Sequence, residues 1–251
     1  MNCTFNKNYT LLISMNYIEF LFLFTVIPVI ILAIFLRKYL DIVYVKWLLI
    51  VSVIAFAATA GWDNYAVYSG IWHFPEDKTL GIKLFYVPVE EYLFFFLQTF
   101  TTGLVQLFFI KKNIDINIKK SIFLLIPLLF FQTNEILKLP FGNLNYLFHL
   151  FSWGGFFIII QIFAGRKKII NNIFLIVMPS LIMTLYFSIA DSISIGQGIW
   201  EFDPLQTTGI RLYNIPLEEI LFFLVTNILI TEAMILFLPS KYLKRNNISK
   251  I

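Results

Sequence analysis

Residues 63–99 and 191–227 align without a gap at a constant offset of 128. Asp63 matches Asp191, and Gly70-Ile71-Trp72-x-Phe74 matches Gly198-Ile199-Trp200-x-Phe202. Gly81-Ile82-Lys83-Leu84 matches Gly209-Ile210-Arg211-Leu212. Pro88-x-Glu90-Glu91-x-Leu93-Phe94-Phe95 matches Pro216-x-Glu218-Glu219-x-Leu221-Phe222-Phe223. A repeat of this kind obliges the chain to build one supersecondary unit twice. Acid pairs are costly in so apolar a context, so their recurrence points to one shared chemistry.

The chain around the motifs is apolar. Of 251 residues, 59% are hydrophobic and 14% charged, where a soluble domain has about a quarter charged. That composition belongs to polytopic membrane proteins. One cysteine, Cys3, excludes an internal disulfide and a cysteine metal cluster. Two histidines, His73 and His149, are too few for a histidine metal site, so no metal is expected. The formal net charge of +4 does not indicate nucleic acid, because the basic residues sit in short loops between apolar runs. Met1–Thr10 is polar and does not read as a cleavable signal.

Seven apolar runs lie near 15–36, 43–60, 87–110, 121–137, 145–165, 172–190 and 214–238. Most approach the ~20 residues that cross a bilayer. The fourth is the weakest, interrupted by Pro127. Seven spans put 14 of the 19 basic residues on one side, including Lys111, Lys112, Arg166, Lys167 and Lys168. The positive-inside rule then sets the N-terminus outside and the C-terminus in the cytoplasm, in the cell (inner) membrane. Omitting the fourth span would place the later basic clusters outside.

The expected fold is all-α, with seven transmembrane helices arranged as two parallel three-helix repeats joined by a linker helix. Residues 1–112 form the first repeat, 113–140 the linker with the fourth span, and 141–251 the second repeat. A pseudo-two-fold along the membrane normal places both motifs on the extracytoplasmic side.

Proline in the first turn of a helix, followed by acids, is by itself an ordinary helix start. Here Leu93-Phe94-Phe95 follows at once and sets the acids at or just under the interface. Adjacent helical residues point about 100° apart. One glutamate of each pair therefore faces a cavity while its neighbour holds a partner such as Lys83 or Arg211. Parallel repeats meeting face to face bring Glu90, Glu91, Glu218 and Glu219 toward one axis. Clustered carboxyl groups in an apolar site divide into a neutral acid and an ionised base, the pair required for acid–base chemistry without a cofactor. Phe94, Phe95, Phe222 and Phe223 are either packing residues or an aromatic lining that stabilises a cation. Trp72 and Trp200 are belt residues or part of the same lining. Asp63 and Asp191 close helices 2 and 6 and are either solvated helix-end acids or, given their identical offset, substrate-binding residues of the same pocket, and the four motif glycines mark turns in a structured loop. Glu19 and Glu232 stand outside the repeat and rank second. No Lys lies mid-span in the seventh run for a retinal Schiff base, and neither a dinucleotide motif nor a P-loop is present.

The doubled sentence GIWxF…GI[KR]L…P[VL]EExLFF, in a seven-span chain, resembles the membrane-integral lycopene cyclases. These occur as heterodimers of three-helix subunits, as fused two-repeat chains, and fused to phytoene synthase. The resemblance implies cyclisation of the linear ends of lycopene to β-ionone rings, with the catalytic carboxylate role on Glu90, Glu91, Glu218 and Glu219. It implies no cofactor, a carotenoid substrate drawn from the bilayer among membrane lipid, and association with phytoene synthase or other carotenoid enzymes. Departures such as Gln98 against Thr226 leave open whether both copies act. Two other functions fit parts of the pattern: a carotenoid hydratase using the same protonation, and a small-solute transporter of three-plus-one-plus-three architecture. A transporter would carry its polar groups near the midplane, whereas these acids cluster at one end.

Overall fold

The computed structural model describes residues 15–112 and 144–243. Within them, six helices are long and apolar enough to cross a bilayer. They are α1 (Tyr17–Leu36), α2 (Ile42–Tyr68), α3 (Val89–Lys112), α4 (Asn145–Asn171), α5 (Ile173–Gly196) and α6 (Leu217–Phe237). A one-turn helix, α7 (Ser240–Leu243), follows. The fourth expected span, 121–137, lies outside the described residues.

Side chains cap the starts of α1 and α2. Asn16 and Glu19 form a reciprocal capping box at α1: Asn16 Oδ1 accepts from Glu19 N at 3.0 Å, and Glu19 Oε2 accepts from Asn16 N at 2.9 Å. Glu19 therefore serves the helix end and not a membrane site. Asp41 Oδ1 caps α2 through Tyr44 N at 2.9 Å. Pro88 and Pro216 sit one step earlier than expected, in short strands immediately ahead of α3 and α6.

Among the described residues, two prolines lie inside helices, and each frees the carbonyl four residues back. Pro28 follows a π-helical stretch, Phe22–Val26, and leaves the carbonyl of Phe24 for the Tyr186 hydroxyl at 2.8 Å. Pro179 leaves the carbonyl of Leu175 for Gln106 Nε2 at 3.0 Å. In lipid these carbonyls have no water to turn to, so neighbouring helices supply the donors.

α3 and α6 are the central helices. Their most apolar windows are 67% and 61% buried, against 17% for α1 and 11% for α4. α5 and α4 pack along α6, and α2 along α3. Large apolar side chains such as Ile31, Ile34, Phe35, Phe163 and Leu185 face outward, as expected of surface against lipid. One aromatic core lies at the motif end, around Trp62, Phe94, Trp200 and Phe222. A second core, with Leu48, Leu104, Leu107 and Met234, fills the other end.

The loops after α2 and α5 repeat each other closely. β2 (Lys83–Leu84) pairs with β3 (Val87–Pro88), and β5 (Arg211–Leu212) with β6 (Ile215–Pro216), each as a tight antiparallel hairpin. The turn residues Phe85 and Tyr213 have φ of 59° and 56°. β1 (Trp72–His73) pairs with β4 (Glu201–Phe202), so the two loops are bonded to each other with Trp72 opposite Phe202.

Two expected boundaries are corrected. α2 runs on to Tyr68 and α5 to Gly196, where the apolar runs suggested ends near 60 and 190. Asp63 and Asp191 therefore stand inside helices, one turn or more from their ends, and both are buried.

Candidate active site

Glu90 and Glu91 occupy the first turn of α3, and Glu218 and Glu219 the first turn of α6. The roughly 100° between neighbours divides each pair. Glu90 turns back to its own loop, where Oε1 accepts from Leu80 N at 2.5 Å. Glu218 Oε1 accepts from Thr208 N at 2.5 Å. Each bond ties a loop to the helix start that follows it. Glu91 and Glu219 turn inward and line one cavity.

Each inward glutamate has a tyrosine. Tyr17 of α1 donates its hydroxyl to Glu91 Oε2, and Tyr146 of α4 donates to Glu219 Oε1. All four side chains are buried. Each phenol occupies one oxygen of its carboxyl group and restrains its rotamer.

Asp191 shares the cavity, and its Oδ1 accepts from Trp200 Nε1 at 2.7 Å. Asp63, its repeat counterpart, is fully buried within electrostatic reach of Glu91 and Glu219. Neither of its oxygens has a hydrogen-bond partner among the described residues. The remaining wall is aromatic: Trp72, Phe74, Phe94, Phe202, Phe222 and Phe223. The ring pairs Phe94–Phe223 and Phe95–Phe222 lie 6.3 and 6.5 Å apart by centroid. The space they enclose is about 360 Å³, counting its open mouth.

The structure thus brings together Glu91, Glu219, Asp191, Trp72, Trp200, Phe94, Phe222 and Phe223 around one cavity. Phe95 faces a neighbouring crevice. Lys83 and Arg211 do not partner the glutamates. Lys83 Nζ lies 3.6 Å from Glu76 on the surface, and Arg211 Nη1 donates to the Asn214 carbonyl at 3.3 Å. Both sit on exposed hairpin strands. Glu232 is buried deep in α6, away from the cavity.

Sequence reading missed Tyr17 and Tyr146. They stand 129 residues apart, not 128, so the gapless alignment could not pair them. A one-residue slip between the first helices of the two units would have revealed them. Phe74 and Phe202 were in the repeated motif but were not singled out. Among the described residues, no group of three His, Cys, Asp or Glu side chains could hold a metal ion.

The lycopene cyclase family profile matches residues 16–109 and 143–237, one segment for each copy of this geometry. The chain belongs to the lycopene cyclase family. It is 29% identical over 191 residues to a lycopene beta-cyclase of Halobacterium salinarum, covering 75% of this chain and 80% of that protein. It is 30% identical over 198 residues to a bifunctional lycopene cyclase/phytoene synthase of Aspergillus oryzae. A similar bifunctional protein of Podospora anserina is 30% identical over 202 residues. The chain spans about a third of the length of these bifunctional relatives, at 33% and 34%. No solved structure matches it.

Proposed function

We propose that this chain is a lycopene β-cyclase that needs no cofactor. The observation that carries the proposal is the pair of tyrosine-held glutamates, Glu91 and Glu219, facing one aromatic cavity in a chain of the lycopene cyclase family.

In this reading one of the two carboxyl groups gives its proton to the terminal double bond of a linear end group. The π electrons of that bond form the new C–H bond and leave a tertiary cation. The internal double bond attacks the cation and closes a six-membered ring. A carboxylate then removes a ring proton, and the released electrons restore a carbon–carbon double bond. The net change is an isomerisation, with no electrons or atoms gained. The aromatic faces of Trp72, Trp200, Phe94 and Phe222 stabilise the migrating positive charge. The same rings exclude the water that would otherwise capture it. Glu90 and Glu218 are positioning residues that anchor the loops over the cavity.

The same proposal takes the architecture as seven spans, with two parallel three-helix repeats around a linker helix in the segment between α3 and α4. The matched hairpins and loop bonds support that arrangement. The N-terminus lies outside and the C-terminus in the cytoplasm, so both motifs face the extracytoplasmic side. Lycopene enters from the bilayer, and phytoene synthase or other carotenoid enzymes are the expected partners.

The test is pigment chromatography of a lycopene-accumulating bacterial host expressing the chain. The expected result is a yellow-orange product of unchanged mass, lost in Glu91→Gln and Glu219→Gln. Unchanged lycopene from well-expressed protein overturns the proposal, and a product heavier by one water replaces it with a hydratase.

A further inference from the structure

Beside the carboxylate cavity lies a crevice of about 560 Å³, counting its mouth, between α2, α3, α4 and α6. Its α2 wall is built of small residues, Ala55, Ala58 and Thr59, and Trp153 and Phe157 of α4 stand opposite. Ile54 at its edge is 47% exposed, so the mouth opens on the lipid-facing surface. The inner end adjoins the carboxylate cavity. Phe95 lines the crevice and packs on Phe222 of the cavity. Trp62 stacks on Phe222 at 5.5 Å and lies against Trp153 at 5.4 Å. From Glu219 to Ala233, which lines the crevice, α6 advances about 20 Å.

The place related to this crevice by the repeat is built differently. Ala55, Ala58 and Thr59 correspond at offset 128 to Met183, Tyr186 and Phe187. Met183 and Phe187 are buried in the aromatic core. Phe187 stacks on Phe223 at 5.7 Å and meets Phe94 edge-on at 5.7 Å.

One hydrogen bond shows how the difference arises. Trp153 Nε1 donates to the carbonyl of Ala58 at 3.0 Å. Its related positions are Phe24, at the offset of 129 that also links Tyr146 to Tyr17, and Tyr186. There the Tyr186 hydroxyl donates to the carbonyl of Phe24 at 2.8 Å. The same two positions are bonded in both halves, with the donor exchanged. Where tyrosine donates, its ring fills the gap. Where alanine offers only its carbonyl, the gap stays open.

We infer that the crevice of Ala55, Ala58 and Trp153 seats the polyene of the substrate, and that the related place is plugged by Met183, Tyr186 and Phe187. The substrate then reaches the two glutamates from one side only. Walls that are mostly apolar and aromatic, with Gln98, Gln161 and Thr226 among them, suit a conjugated hydrocarbon, which gains dispersion contacts along its length. The inference rests on the cyclase reading above.

The test copies the closed half onto the open one. Ala55→Met/Ala58→Tyr is assayed in membranes against lycopene. It is also assayed against a short probe, an acyclic apocarotenal with one intact end group on a polyene about half as long. The expected result is at least a tenfold loss of lycopene cyclisation with the short probe still cyclised within about threefold of wild type. The mirror variant, Met183→Ala/Tyr186→Ala, is expected to keep lycopene cyclisation within about threefold. Full lycopene cyclisation by the first variant overturns the inference. So does a parallel loss on both substrates, which would assign these residues to the carboxylate cavity. So does a lycopene-specific loss confined to the mirror variant. A wild-type protein inert toward both substrates overturns the cyclase reading and the inference with it, a result distinct from the others.

Discussion

Gln98 donates through Nε2 to Thr226 Oγ1 at 3.0 Å, and these two residues occupy the same place in the two repeats. The bond joins a position of one sequence repeat directly to its own counterpart in the other. Around it, Gln98 reaches Asn227 Oδ1 at 3.4 Å, and Thr102 donates to the same oxygen at 2.8 Å. The central helices α3 and α6 are therefore joined in mid-span by side-chain hydrogen bonds, directly beneath the aromatic cavity.

Interhelical hydrogen bonds in membranes contribute modestly, because the separated helices find other partners. Gln98→Met is expected to lower stability by about 0.6 kcal/mol. Thr226 keeps its bond to the Phe222 carbonyl at 2.9 Å, so the loss should stop there. Unfolding in mixed micelles measures it, and a loss of several kcal/mol would refute the assignment.

The two glutamates of each pair should respond differently to substitution. Glu91→Gln and Glu219→Gln each remove a group that gives or takes a proton and are expected to lower cyclisation by about 10²- to 10⁴-fold. Glu90→Gln keeps a side-chain oxygen for Leu80 N and should retain most activity, whereas Glu90→Ala releases the loop and should not. Product yield per unit of folded protein separates these cases. Equal losses in Glu90→Gln and Glu91→Gln would contradict the division of roles.

Gly70 and Gly198 hold φ of 73° and 67° where α2 and α5 turn into the loops over the cavity. A Cβ on Gly70 would meet only Gln206 Nε2 at 3.6 Å, an ordinary contact. The cost of Gly70→Ala is thus backbone strain, about 1–2 kcal/mol. Thermal unfolding in detergent should show it, and Gly61→Ala, inside α2 with open space around it, should not.

The Tyr242 hydroxyl lies 2.6 Å from both carboxylate oxygens of Asp41, joining α7 to the start of α2 outside the membrane. Burial alone would raise the Asp41 carboxyl, but hydrogen bonds from Tyr242 and from the amides of Tyr44 and Val43 outweigh it and hold the group below its ordinary range. Burial, and then the bond to Asp41, push the Tyr242 phenol up to about 12. The lowered acid stabilises the fold above its ordinary value and loses that contribution as pH falls through the folded value. The raised phenol stabilises the fold below its ordinary value and loses that contribution as pH rises through about 12. Tyr242→Phe should therefore lower the melting temperature by the same small amount across neutral pH, with the gap closing in acid. A gap that widens in acid would refute the pairing.

Much of this site could be read from residue order alone. That Glu90 and Glu91 point different ways follows from helical geometry, though not which of them faces the cavity, and Leu93-Phe94-Phe95 one turn on leaves packing and lining as the two readings of the rings. What failed was the reading of charge pairing. Lys83 and Arg211 look like natural partners for buried acids, yet the hairpins hold them on the surface while tyrosines from α1 and α4 take that place. A tyrosine in an apolar run carries no signal that its hydroxyl will find a carboxyl group 74 residues away.

By itself, the sequence determined the membrane class and the doubled unit with its paired acids, because hydropathy and repetition are properties of residue order. Only the tertiary structure decided which glutamates line the cavity and which bind loops. It also decided that Asp63 and Asp191 lie inside helices, and that one crevice stays open where its counterpart is filled. Those outcomes depend on contacts between helices distant in the chain. There, a one-residue slip or an alanine in place of a tyrosine changes which space is occupied.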